Sequence, residues 1–177
     1  MGNTVNGKPL VFLEGQSNQV IDGVFQVILV NCANMVVQNV EDIGFRDMGF
    51  SQSIQLIGTS NTVVTNCKTH ISLINSNNNT VKGNRLSNAF ITLTNSNDNI
   101  IADNELYDVR YSAVRLYSSS HNMITQNSIT GEYGGGIIIY GEYNRVCRNN
   151  ISYRIVVMML VQAYLLVVVV IMCMKIM

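Results

Sequence analysis

The segment "SNNNTVKGNRLSN" (residues 76–88) is polar almost throughout, yet it carries Val81 and Leu86 five residues apart. Taken alone it looks like a disordered linker, because Asn, Ser and Gly bury too little apolar surface to offset the entropy of ordering. It does not stand alone. "CANMVVQNVEDIG" (32–44), "TSNTVVTNCKTHI" (59–71), "SNDNIIADNELYD" (96–108), "SSHNMITQNSITG" (119–131) and "GEYNRVCRNNISY" (141–153) have the same plan. Aligned on Asn34, Asn61, Asn79, Asn99, Asn122 and Asn144, each unit carries a second asparagine five residues on, at Asn39, Asn66, Asn84, Asn104, Asn127 and Asn149. The units recur about every 18 to 27 residues, the range of solenoid repeats.

Three aliphatic columns accompany the asparagines. Val36, Val63, Val81, Ile101, Ile124 and Val146 stand two residues after the first asparagine, and Leu86, Leu106, Ile129 and Ile151 seven residues after it. Ahead of it stand Leu29, Leu56, Leu73, Leu93, Leu116 and Ile139. The segments holding this last column alternate, as in "ISLI", "ITLT" and "VRLY", which predicts short strands with inward residues two apart. Val, Ile and Thr between Asn, Ser and Gly mark strands joined by turns. One coil cannot bury its column, whereas stacked coils share a continuous core. The pattern predicts an all-β chain: a parallel β-helix of about six coils over 25–153, with 1–24 as lead-in or cap and 154–177 as an apolar tail. The six aligned asparagines are expected to form a ladder at the turns, since Asn tolerates the left-handed conformation and stacks amide to amide.

Bulk properties exclude several functions. Lys and Arg balance Asp and Glu at 11 each with no basic run, which argues against a nucleic-acid partner. Four cysteines form no CxxC pair, and the two histidines, His70 and His121, lie in different repeat columns, so no metal site and no cofactor are expected. The cysteines read as small buried residues. "MGNTVNGKPLVFLEGQ" lacks the basic start and apolar core of a signal peptide, so the chain is expected to be part of a longer exported protein.

The repeats, with the lead-in "NTVNGKPLVFLEGQSN" (3–18) and "GVFQVILVNCANMVVQNV" (23–40), resemble the NosD-like family of right-handed β-helix proteins over about residues 3–153. The resemblance implies a right-handed helix of pectin-lyase-like type, an extracellular or cell-envelope location, and a carbohydrate-binding or sugar-hydrolase kind of domain. Its name-giving member is a periplasmic protein associated with copper delivery to nitrous oxide reductase.

The tail "RIVVMMLVQAYLLVVVVIMCMKIM" (154–177) abandons the repeat. About twenty apolar residues span a bilayer as a helix, so membrane association through 155–174 is one expectation. A codon-level reading supplies the other. Shifted by one frame, 167–177 is compatible with Gly-Gly-Gly-Tyr-Asn-Val-Tyr-Glu-Asn-Asn, close to "YGEYNRVCRNN" (140–150). On that reading the tail is a frameshift product that replaces a further coil.

Enzymes on this fold group carboxylates and basic residues on one outward strand face, and glycoside hydrolysis needs two carboxyl groups several ångströms apart. By alternation the outward positions run from Ile28 and Val30 through Gln55, Ile57, Ser72, Ile74, Thr92, Thr94, Arg115 and Tyr117 to Ile138 and Tyr140, without Asp or Glu. No catalytic residue is therefore assigned. Asp98, Asp103, Glu105 and Asp108, near Arg110, occupy different repeat positions and read as solvated turn residues; the glycine-rich aspartate repeat of calcium-binding β-rolls is missing. "YGGGIIIY" (133–140) lacks the spacing of a phosphate loop. The candidate ligand face is Arg115, Tyr117 and Tyr140, able to stack on sugars and to hydrogen-bond hydroxyls or carboxylates. Cross-coil aromatic packing is the competing account of the same residues. Asn78 in "NNT" and Asn150 in "NIS" are glycosylation sequons if the chain is exported. The reading is a non-catalytic envelope or surface module with surface polysaccharide as partner. The alternatives are a fragment of a carbohydrate-active lyase, hydrolase or epimerase, and a NosD-like accessory to copper-site assembly.

Overall fold

The computed structural model describes residues 3–5, 7–41, 54–131, 136–153 and 174–175, and within them every regular element is a strand. Numbered in chain order, the strands form three sheets. Sheet 1 stacks β2 (Lys8–Glu14), β4 (Gln26–Val30), β6 (Ile54–Ile57), β8 (Ile71–Ile74), β11 (Ile91–Thr94), β14 (Val114–Tyr117) and β17 (Ile137–Tyr140) in parallel, with β1 (Thr4–Val5) antiparallel beside β2. Sheet 2 stacks β3 (Val20–Asp22), β5 (Val36–Gln38), β7 (Val63–Thr65), β9 (Thr80–Lys82), β12 (Ile100–Ala102), β15 (Met123–Thr125) and β18 (Arg145–Cys147); Met174–Lys175 (β20) lies antiparallel to β18. Sheet 3 holds β10 (Arg85–Ser87), β13 (Glu105–Val109), β16 (Ser128–Gly131) and β19 (Asn150–Tyr153). The chain visits sheets 1, 2 and, from the fourth coil, 3 in turn: a parallel β-helix, with the right-handed sense that parallel crossovers take.

Sheet 1 has seven parallel rungs, one more than the repeat alignment suggests. Residues 8–22, expected as lead-in, make a coil of their own, with Leu10 opposite Gln26 and Val20 opposite Val36. The offset between equivalent residues changes from coil to coil, through 27, 17, 20, 23 and 22 residues. The rungs of sheets 1 and 2 stay in register across these offsets, while sheet 3 shifts register once, between Leu106 and Val109 of β13.

Sheet 1 supplies two inward columns. Val27, Ile54, Ile71, Ile91 and Val114 form one, and Leu29, Leu56, Leu73, Leu93 and Leu116 the other, all fully buried. Leu86, Leu106 and Ile129 line sheet 3. Val11, Leu13, Ile137, Ile139 and Ile151, in the end coils, are only partly buried; among the described residues no further parallel rung covers them.

One column departs from expectation. Val36 and Val63 face outward, and the buried residues are Val37 and Val64, which stand in register with Val81, Ile101, Ile124 and Val146. A one-residue shift turns a whole strand inside out, and burial under Val81 fixes the register. The asparagine alignment moves with it. Asn34 and Asn61 are exposed turn residues with left-handed backbone (φ 55° and 52°), equivalent to Asn78 and Asp98 (59° and 57°). They do not belong to the ladder; Met35 and Thr62 occupy its first two places.

The ladder proper runs through Asn79, Asn99, Asn122 and Asn144, all nearly without exposure. The backbone N–H of Asn79 donates to Asn99 Oδ1 (2.8 Å), that of Asn99 to Asn122 Oδ1 (2.8 Å) and that of Asn122 to Asn144 Oδ1 (2.9 Å). Each side-chain Nδ2 donates to a carbonyl of the preceding coil, as Asn99 does to Ser76 O (3.0 Å). A second ladder, Asn84, Asn104, Asn127 and Asn149, repeats this geometry between sheets 2 and 3. Between sheets 1 and 2 a hydroxyl ladder of Thr59, Ser76, Ser96 and Ser119 takes the backbone N–H of the coil before, from Cys32 onward. Side chains thus satisfy the buried turn amides that no strand partner reaches.

Candidate functional site

The outer face of sheet 1 carries two rows, because alternate residues of every rung point outward. One row is Phe12, Ile28, Gln55, Ser72, Thr92, Arg115 and Ile138; the other is Glu14, Val30, Ile57, Ile74, Thr94, Tyr117 and Tyr140. The extra first coil places one carboxylate, Glu14, on this face, which the expected outward set lacks. It stands five rungs from Tyr117, about 24 Å at the usual strand spacing of about 4.8 Å.

Tyr117 and Tyr140 sit opposite each other on β14 and β17, and their rings stack with centroids 5.7 Å apart and planes 13° apart. They are 39% and 62% exposed, so both side chains are open to solvent. Arg115 is two residues from Tyr117 on the same face, but its guanidinium lies over the Phe90 ring, 4.5 Å from the centroid. Phe90 precedes Ile91, the partner of Val114, so Arg115 leans toward the start of its strand, away from the tyrosines. The expected trio is therefore a tyrosine pair with the cation committed to one side. Phe90 also meets His70, with ring centroids 4.1 Å apart, and its backbone N–H donates to His70 Nδ1 (3.0 Å). Sequence reasoning missed Phe90 because it falls in a corner between columns.

A second ring pair was also missed. His121 and Tyr143 stack with centroids 5.1 Å apart and planes 21° apart. The available signal was positional: each immediately precedes a ladder asparagine, Asn122 or Asn144.

The acidic residues stay dispersed. Asp98, Asp103 and Asp108 take left-handed turn positions (φ 57°, 54° and 54°), and Glu105 points outward from β13 into an ion pair with Arg85 (3.0 Å). Ser87 Oγ donates to Asp108 (3.3 Å). Among the described residues no three His, Cys, Asp or Glu gather as a metal site. Cys32, Cys67 and Cys147 are buried, and no disulfide joins them. The Cys32 thiol donates to Val30 O (3.4 Å) and that of Cys67 to Thr65 O (3.1 Å). Burial pushes the Cys67 thiol up to about 11. Sequon residues Asn78, at a turn, and Asn150, on β19, are both exposed.

Among the described residues no helix is long and apolar enough to cross a membrane. The two readings of the tail, membrane span and frameshift product, fall almost entirely on residues outside those described.

No curated protein matches the chain. The family model described as "Periplasmic copper-binding protein (NosD)" matches residues 2–163. That match takes in every coil of the helix, from the first rung at Lys8 to the last strand ending at Tyr153, and the chain belongs to the NosD family of parallel β-helix proteins.

Proposed function

We propose that the chain is a non-catalytic β-helix module of the cell envelope that binds carbohydrate on the outer face of sheet 1. The observation that carries this reading is the exposed Tyr117–Tyr140 stack. A pyranose has an apolar C–H face and a rim of hydroxyls, and tyrosine pairs an apolar ring with a polar tip. Rings held on rigid, mutually packed rungs lose little freedom on binding. The envelope location rests on the family, whose description is of a periplasmic protein.

The same face argues against hydrolysis. Two carboxyl groups about 5–9.5 Å apart are needed, and the two outward rows hold Glu14 alone. Copper, which the family description names, requires soft donors that converge. The Cys32 and Cys67 thiols instead donate to backbone carbonyls within the coils, Cys147 Sγ meets the Thr125 hydroxyl (3.5 Å), and His70 and His121 are each engaged by a different aromatic ring. That donor set does not fit a copper ion, and no step through copper is assigned.

The test is binding of the full chain to an array of neutral, amino and uronic oligosaccharides. Tyr117→Ala and Tyr140→Ala should each weaken the signal about tenfold, in line with loss of one good stacking contact. Their circular dichroism should stay unchanged, and Arg115→Ala should have the smaller effect. Absence of wild-type binding, or signals indifferent to both tyrosines, refutes the reading. Release of reducing ends from pectin or alginate, lost in Asp103→Ala or Glu105→Ala, would establish the hydrolase alternative instead.

A further inference from the structure

The tyrosine pair ends the rungs of sheet 1, and the chain then turns through Ser118–Ser120 or Gly141–Glu142 into sheet 2. On the far side of that turn, in the same two coils, stands the second ring pair, His121 and Tyr143. Tyr143 is 54% exposed, and His121 is exposed as well. Four solvent-facing rings thus flank one corner of the solenoid, two on each side.

The backbone makes the second pair unusual. His121 and Tyr143 occupy the left-handed corner position (φ 60° and 56°) that earlier coils fill with Asn34, Asn61, Asn78 and Asp98. Asn and Asp suit that conformation through local hydrogen bonding, whereas a bulky side chain adopts it at a cost. Gln126 and Arg148 also take left-handed backbone in these coils, so the departure alone does not mark a site. What sets Tyr143 apart is that a strained residue also leaves most of an aromatic ring in water. The strain opposes folding and the exposed ring buries little area to offset it; backbone strain of this kind collects where a ligand is bound.

We infer that His121 and Tyr143 form a second stacking rail, which extends the carbohydrate site around the corner between sheets 1 and 2. The inference rests on the glycan-binding reading above. An oligosaccharide lying across the corner would set one sugar against Tyr117 and Tyr140 and a later one against His121 and Tyr143. Ser118, Ser120 and Glu142 lie in the turns between them, where Ser120 Oγ accepts the Glu142 backbone N–H (3.0 Å). Oligosaccharides long enough to reach both rails should bind more tightly than mono- or disaccharides.

The left-handed column supplies the variants that test this. Asn is the residue that position takes elsewhere, so His121→Asn and Tyr143→Asn remove the rings while keeping, or easing, the backbone. Binding of glucose, N-acetylglucosamine and galacturonate oligomers from two to six units would be measured for wild type, both variants and Tyr117→Ala. The expected result is a five- to tenfold loss for hexamers in Tyr143→Asn, little loss for dimers, and a urea midpoint equal to or above that of wild type. Hexamer binding that fails in Tyr117→Ala but survives in His121→Asn and Tyr143→Asn overturns the second rail and leaves the first reading standing. A lowered urea midpoint in Tyr143→Asn with hexamer affinity intact assigns the pair to packing and also overturns it. No oligomer binding by wild type removes both proposals together.

Discussion

Replacing Asn99 by alanine tests the account of what holds the coils together. Its Oδ1 accepts the backbone N–H of Asn79 at 2.8 Å and the Asn79 side-chain amide at 3.2 Å. Its Nδ2 donates to Ser76 O (3.0 Å), Asn97 O (2.9 Å) and Asn122 Oδ1 (3.1 Å). Not all of these groups would be stranded. The Asn79 side chain keeps Thr59 O and Asn77 O, Asn97 O keeps the Asn78 N–H, and Asn122 Oδ1 keeps the Asn99 backbone N–H. Two buried groups lose their partner: the Asn79 N–H and the Ser76 carbonyl. At about 1–3 kcal/mol for each orphaned buried group, Asn99→Ala should cost about 2–6 kcal/mol. Asn61 is the control, since it looks equivalent in the sequence but is an exposed turn residue with φ 52°. Asn61→Ala should cost about 1–2 kcal/mol, the left-handed penalty, and Asn61→Gly close to nothing. Urea unfolding followed by circular dichroism gives the midpoints, and amide exchange at Asn79 reports the local opening. A cost below about 1 kcal/mol for Asn99→Ala, or equal costs at both positions, would refute the division of the asparagines into ladder and turn.

Three further outcomes follow from the packing. Leu93→Ala, at the centre of a fully buried column, should lose about 2–5 kcal/mol, whereas Thr92→Ala on the outer face should stay within about 0.5 kcal/mol; urea midpoints compare the two. Gly141 follows Tyr140 at the point where earlier coils carry the hydroxyl ladder, and a Cβ there would collide with the Ser119 carbonyl oxygen. Gly141→Ala should therefore destabilise by about 1–3 kcal/mol and loosen the Tyr117–Tyr140 stack, visible as altered tyrosine fluorescence. Burial holds the Cys67 thiol neutral up to about 11, above its ordinary value of 9.0. Its contribution to stability is then complete below the unfolded-state value and is lost as pH rises from there toward 11. Stability of the wild type should fall across that window more steeply than that of Cys67→Ala, and Cys67 should resist a thiol reagent at pH 8 until the protein is unfolded.

The solenoid is legible in local pattern alone. Period, alternation within "ISLI" and "ITLT", and amides at the turns are local properties, and each repeat states them again. The leucine column from Leu29 to Leu116 was legible because every member precedes its turn by a similar distance, whatever the length of the coil behind it. Which neighbour meets which depends on the stacking of the coils. The asparagine alignment slipped by one residue at Asn34 and Asn61 because both "N-x-V" readings of "NMVV" and "NTVV" satisfy the local pattern. Only the pairing of Val64 with Val81 selects the inward valine. The site depended on the same kind of information. Tyr117 and Tyr140 were recognisable as outward by alternation, but the fate of Arg115 was not, since Phe90 reaches it from another coil. His121 and Tyr143 became a pair only once the offset of 22 residues laid one coil over the next. Alternation says which side of a strand a residue occupies; coil length, which varies from repeat to repeat, says what lies above it.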